Sequence, residues 1–250
     1  GAAGTLSALG DDGPAVVAAF ARRLGLAAPV LPWHTDRTGP ASLAAALGVA
    51  AGACGKVGLD VVLLVQTEVG EAHEAGEGRG GSSTMPHKHN PVAAVAAIAA
   101  ARQAPGLVAT MLACMAHEHE RAAGSWQAEW DTAAALLAVA AAGAAAIAES
   151  LERLVVDPSR MRANLGLAGD LPLAEAATTQ LTPALGRAEA HALVEEACRR
   201  AVADGASLAE TLWAADHDVV LAPERYLGAA PALVDAALRA RSSAAPAGAR

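Results

Sequence analysis

Aromatic side chains are nearly missing from this sequence. They make up 2% of its 250 residues, with a single tyrosine, a single phenylalanine and four tryptophans. Isoleucine occurs only at Ile98 and Ile147. Strands draw heavily on aromatic and β-branched residues, whereas alanine and leucine favour helix because they lose little side-chain freedom there. A coding bias towards alanine would leave the same composition, but in either case strands are disfavoured and an all-α fold is expected.

Cysteine is also scarce. Cys54, Cys114 and Cys198 are odd in number, far apart and form no Cys-x-x-Cys pair. That excludes a disulfide framework and fits a reduced, cytoplasmic protein. Positive charge is short, with 18 Lys and Arg against 26 Asp and Glu for a net charge of −8. A nucleic-acid binder needs a basic face, so none is expected here. An anionic substrate would have to be drawn in by a local cluster rather than by the overall field. No basic leader is legible in the first residues, Gly1-Ala2-Ala3-Gly4-Thr5. The abrupt start reads as the interior of a larger unit. The longest uncharged run, between Asp131 and Glu149, is short for a membrane span and predicts a buried helix.

Helix signals are plentiful. Asp11-Asp12-Gly13-Pro14 opens a helix that Gly25 stops, and a loop with Pro29, Pro32 and Pro40 follows. From Ser42 to Val69 the chain is apolar. Gly48, Gly52, Gly55 and Gly58 recur there at helical spacing and would make one smooth stripe for a neighbouring helix. Residues 70–90 break the pattern and read as a surface loop. Pro91 is expected at the first position of the next helix, capped by Asn90, with a kink near Pro105. A long, almost wholly apolar helix is predicted over 125–154. Asp157-Pro158 starts a short helix, Thr182-Pro183 starts one ending at Gly205, and Ser207 with Glu210 forms a capping box. The change from long apolar to short capped helices places a domain boundary between 1–156, a central bundle bearing the loop 70–91, and 157–250, a small helical domain.

Chemistry concentrates in residues 81–91, Gly-Ser-Ser-Thr-Met-Pro-His-Lys-His-Asn-Pro. Glycines let the backbone turn and present N–H groups, Lys88 brings a cation and Asn90 an amide. Such a set can hold a carboxylate and stabilise charge developing on it, and a serine among backbone N–H groups can serve as a base. A plain Gly/Ser turn with a solvated lysine has the same residue types. The order decides between them: Gly-Ser-Ser-x-Met-Pro-x-Lys-x-Asn-Pro resembles the signature of the fumarase/aspartase superfamily. Within it, Gly80 to Lys88 looks most like the 3-carboxy-cis,cis-muconate cycloisomerases. The likeness continues in Leu31-Pro32-Trp33-His34-Thr35, Gln66-Thr67-Glu68-Val69-Gly70-Glu71, Glu118-His119-Glu120-Arg121, Trp126, Ala128-Glu129-Trp130 and Tyr226-Leu227-Gly228.

The resemblance implies a long-helix bundle and a cytoplasmic homotetramer whose sites each draw on three subunits. It implies Ser82 as the catalytic base, and Lys88 and Asn90 as the groups that stabilise an aci-carboxylate intermediate. Ser83, Thr84, Met85, His87, His89 and Arg121 would contact a small polycarboxylate substrate, with no cofactor and no metal. His89 stands where these cycloisomerases usually carry arginine, which makes that charge titratable near a pH of about 6.5. A sister lyase that eliminates an amine from a substituted succinate fits the same signature. The superfamily's first two conserved regions, supplying a Thr-Ser pair and a histidine, would lie before Gly1. The 250 residues are therefore expected to hold one contribution of three, and to be inactive alone.

Other candidates read as structure. His117 and His119 are two apart and on a helix would face apart, which is poor for a metal. Gly76-x-Gly78-x-Gly80 lacks the strand and the ending of a phosphate loop and is expected to give a closing loop its flexibility. Trp126 and Trp130 share a helix face for packing. Glu68, Glu71, Glu118, Glu120 and Arg79 read as solvated charges.

Overall fold

The computed structural model describes residues 4–76, 80–81, 90–120 and 122–244, and these divide into two compact units, Gly1–Arg160 and Met161–Arg250. Among the described residues the fold is all-α, apart from two three-residue strands.

In the first unit, α1 (Gly13–Leu24) carries Pro14 in its first turn and ends where Gly25 turns left-handed at φ 69°. The acidic pair before it forms a 3-10 segment (Ser7–Asp12) and caps nothing with its side chains. Three long helices follow: α2 (Thr38–Val65), α3 (Val92–Ala113) and α4 (Ser125–Glu152). They pack on one another around Ala44, Ala51, Ala104, Met111 and Leu136. Alanine dominates because the helices approach closely. A Cβ on Gly55 would lie 2.3 Å from Ala101 Cβ, and one on Gly58 would lie 2.8 Å from the Ala94 carbonyl oxygen. Gly48 meets Val108 in the same way, whereas Gly52 faces open space, so the stripe has three members and not four.

By length and composition α2, α3 and α4 are each apolar enough to cross a membrane. Only 22–28% of their most apolar windows is buried within the chain. Outward residues such as Leu43, Val49, Leu63, Val95 and Leu137 are exposed. Pro105 lies inside α3, which continues through it to Ala113.

Composition misses the strands. β1 (Ala72–Glu74) lies in the expected loop, and β2 (Leu154–Val156) begins at Leu154, the last residue assigned to the long helix. They pair antiparallel, Ala72 opposite Val156 and Glu74 opposite Leu154. Arg160 reinforces this corner by donating Nε to the Val69 carbonyl at 2.9 Å and Nη2 to that of Glu68 at 3.0 Å. The Asp157 cap is present: its Oδ1 accepts from the Arg160 N–H at the start of α5 (Pro158–Leu165).

In the second unit α6 (Ala174–Leu185), α7 (Arg187–Asp204) and α8 (Leu208–Trp213) enclose Ala177, Leu181, Val194, Leu208 and Leu212. Thr182-Pro183 does not start a helix. It falls in the last turn of α6, where the Thr182 hydroxyl donates to the Thr178 carbonyl, and the break comes at Gly186. The Ser207–Glu210 box forms as read: Ser207 Oγ accepts from Glu210 N at 3.1 Å and Glu210 Oε2 accepts from Ser207 N at 3.0 Å. The bonds that its carboxylate accepts from the Ser207 N–H and hydroxyl hold the Glu210 carboxyl below its ordinary range. Asp170 adds a second anchor, accepting from the N–H groups of Leu208 and Ala209. Tyr226 gives its hydroxyl to Glu175, which raises its pKa. A final helix, α9 (Ala230–Ala244), carries Leu233, Val234 and Leu238 exposed.

Candidate active site

Of the residues singled out for chemistry, Ser82, Ser83, Thr84, Met85, His87, Lys88, His89 and Arg121 lie outside the described residues, as does Arg79. Asn90 is described, and so is the frame on which the signature segment is mounted.

That frame begins where the segment leaves and rejoins the fold. The Gly80 carbonyl accepts two bonds from Asn90, from its backbone N–H at 2.8 Å and from Nδ2 at 3.1 Å. Gly80 has φ +74°, and a Cβ there would fall 2.2 Å from the Asn90 carbonyl oxygen. Only glycine fits, for conformation and for space. A primary amide has two donors. One is taken by the Gly80 carbonyl.

Asn90 is not the N-cap of α3. The helix starts one residue later than expected, at Val92, and its cap comes from β1. Glu74 Oε1 accepts from the Ala94 N–H at 3.0 Å and Oε2 from the Ala93 N–H at 3.3 Å. Ser150, fully buried in α4, donates its hydroxyl to Glu74 Oε1 at 2.6 Å. One carboxylate thus satisfies two orphan N–H groups, sits at the positive end of a helix dipole and ties β1, α3 and α4 together. Glu74→Ala is expected to destabilise the first unit by about 1–3 kcal/mol, since it strands three donors. A urea midpoint moved by no more than a surface substitution, about 0.5 kcal/mol, would show the cap to be dispensable.

Glu74, Gly76, Asn90, Ala93, Ala146 and Arg153 line a cavity of about 120 Å³ beside this junction. Ligand pockets begin at roughly 300 Å³. This cavity by itself is too small for a substrate of ordinary size. Among them no three His, Cys, Asp or Glu side chains converge as a metal site requires.

A second polar cluster was not singled out as a unit in the sequence. Arg37 and Glu129 are both buried, at 7% and 4% exposure. Arg37 Nε donates to Glu129 Oε1 at 2.9 Å, and Nη2 donates to Oε2. The guanidinium lies over the Trp33 ring, 5.4 Å from its centroid. His117 Nδ1 donates to the His34 carbonyl at 3.2 Å, and its Nε2 stands 3.5 Å from Glu129 Oε1. Trp126 and Trp130 share a face as expected, edge to face at 5.6 Å, and Trp130 is exposed.

Compared with known proteins, residues 1–106 match a family described as lyase. The chain is 49% identical, over 94% of its own length, to a 3-carboxy-cis,cis-muconate cycloisomerase of Bradyrhizobium diazoefficiens, of which it covers 54%. It is 43% identical, over 98% of its length, to a nitrosuccinate lyase of Streptomyces davaonensis, covering 56% of that protein. Among solved structures, the β-carboxy-cis,cis-muconate cycloisomerase of Acinetobacter calcoaceticus superposes with a TM-score of 0.84 at 32% identity, over 96% of this chain and 55% of that one. The chain therefore spans about half the length of the curated relatives it matches.

Proposed function

Because the chain belongs to the fumarase/aspartase superfamily of lyases, we propose that it carries one contribution to the active site of a 3-carboxy-cis,cis-muconate cycloisomerase. The observation that carries this reading is the 49% identity to such an enzyme across nearly the whole chain.

In the lactone-forming direction a carboxylate oxygen of the muconate adds to a conjugated double bond. The C–O bond forms and the displaced electron pair moves onto a neighbouring carboxyl group as an aci-carboxylate. A proton delivered to the adjacent carbon completes the lactone, 4-carboxymuconolactone. In reverse, Ser82 takes that proton as a base and the carboxylate leaves. Lys88 and Asn90 stabilise the extra charge, which is largest at the intermediate, so the contact lowers the barrier rather than merely tightening binding. Arg121 grips a substrate carboxylate with its two-pronged guanidinium, and Ser83, Thr84, Met85, His87 and His89 complete the substrate's surroundings.

The exposed apolar faces of α2, α3 and α4 support association with further subunits, which in this reading is a homotetramer with each site drawn from three subunits. Such a protein would serve the protocatechuate branch of aromatic catabolism.

The nitrosuccinate lyase relative favours a second reading, elimination from a substituted succinate. Both are tested by offering the full-length protein 3-carboxy-cis,cis-muconate and, separately, amino- and nitro-substituted succinates. Loss of the muconate ultraviolet absorbance is expected. Fumarate release with no change in the muconate would replace the first reading by the second.

A further inference from the structure

Asparagine is among the best helix N-caps, yet Asn90 stands one residue too early to cap α3. The N-cap position falls to Pro91, whose carbonyl accepts the first helical bond from the Val95 N–H at 3.0 Å. Proline has no side-chain acceptor. The second and third N–H groups of the helix, those of Ala93 and Ala94, are the two that a capping side chain ordinarily takes. Glu74 takes both from β1, one with each carboxylate oxygen. Its carboxylate is held in turn by the fully buried hydroxyl of Ser150 in α4.

A competing arrangement lies close by. Pro91 has φ −77°, already inside the helical range, and only its ψ of 75° is not. A ψ rotation of about 120° would bring Pro91 into α3 at the first helical position, where proline is favoured. Asn90 would then be the N-cap, with its Oδ1 placed to accept from the Ala93 N–H. That is the N–H which Glu74 Oε2 occupies at 3.3 Å. Glu74 and Asn90 line the same small cavity, so the two acceptors contend for one donor at short range. The same rotation redirects everything before Pro91 relative to α3, including the Asn90 N–H and Nδ2 that bond the Gly80 carbonyl.

We propose that Glu74, steadied by Ser150, is a positioning residue for Asn90. By filling the cap site of α3 it keeps Asn90 out of the helix and its amide on Gly80. The consequence for catalysis rests on the charge-stabilising role of Asn90 given under the proposed function, whereas the consequence for conformation does not.

Glu74→Gln in the full-length protein is the test. The amide keeps one oxygen for Ala94 and Ser150 but sets an NH2 group against the Ala93 N–H, which is then left to Asn90. A crystal structure of the variant is expected to show Asn90 Oδ1 on the Ala93 N–H and the bond from Nδ2 to Gly80 lost. With 3-carboxy-cis,cis-muconate as probe, kcat is expected to fall about tenfold or more with KM within about threefold, the pattern of an interaction lost from the transition state. In an Asn90→Ala background the same replacement adds no further loss, because its effect passes through Asn90. Ser150→Ala, which removes the hydroxyl that steadies Glu74, should move both readouts in the same direction and decides the matter if Glu74→Gln does not fold.

An Asn90 amide still bonded to Gly80 in the folded variant overturns the proposal, as does a loss of kcat that persists in full without Asn90. If Asn90 has moved to α3 and kcat is unchanged, the positioning stands and the charge-stabilising role of Asn90 fails. Asn90→Ala with undiminished kcat would show that second failure independently.

Discussion

Ser82→Ala in the full-length protein is expected to lower kcat on 3-carboxy-cis,cis-muconate by a factor of about 10²–10⁴, the usual contribution of a positioned general base or acid. Alanine keeps the Cβ and removes only the hydroxyl, so binding through Lys88, Asn90 and Arg121 is retained and KM should change little. The bonds described for the frame join Gly80 to Asn90 and Glu74 to the start of α3, and the substitution leaves all of these residues in place. The melting temperature should therefore hold, which separates a chemical defect from a folding one. Ser83→Ala is the control, with a smaller loss expected. Activity within tenfold of the parent would sink Ser82 as the proton carrier.

The largest stability effect is expected at Arg37. Arg37→Met alone leaves the Glu129 carboxylate 4% exposed, with only the edge of His117 at 3.5 Å in place of two guanidinium bonds. Breaking one side of a buried pair costs about 3–5 kcal/mol, mostly from the charge left behind. Urea unfolding followed by circular dichroism should show that loss as a lower midpoint at unchanged slope. Adding Glu129→Met should recover most of it. A single-variant loss below about 1 kcal/mol would mean that water reaches the carboxylate once the arginine is gone.

The local caps and the two long-range polar clusters differ in how visible they were in the sequence, and the reason is range. Ser207 with Glu210, and Asp157 ahead of Pro158, are caps whose donors and acceptors lie within three residues, so local reading finds them. The signature over 81–91 was legible because its order is fixed residue by residue. Glu74 was passed over because it caps a helix that begins nearly twenty residues later and bonds to Ser150 across 76. Nothing in its neighbourhood separates it from the other acids of a polar segment.

Arg37 and Glu129 pose the same difficulty over 92 residues. Glu129 stands within a stretch that resembles the family, Ala128-Glu129-Trp130, but nothing near it in the sequence marks Arg37 as its partner. Thr182-Pro183 misled for the opposite reason. Its local pattern is a sound start signal, but Leu181 is drawn into the core against α7, and the helix runs on to Leu185. The short strands β1 and β2 escaped because composition argues about averages, and three residues on each side suffice for a ladder.

The seam between α2 and α3 has a thermal consequence. Where Gly55 meets Ala101 and Gly58 meets the Ala94 carbonyl, the helices touch through backbone and methyl groups. Alanine and glycine give up no rotamer freedom when they are buried, so the contact forms with little side-chain entropy to overcome. It also hides little hydrocarbon, and the heat capacity gained on unfolding follows the apolar area released to water. Parting these helices should therefore add less curvature to the stability profile than parting a leucine-lined pair of equal length, leaving that part of the bundle comparatively indifferent to cooling.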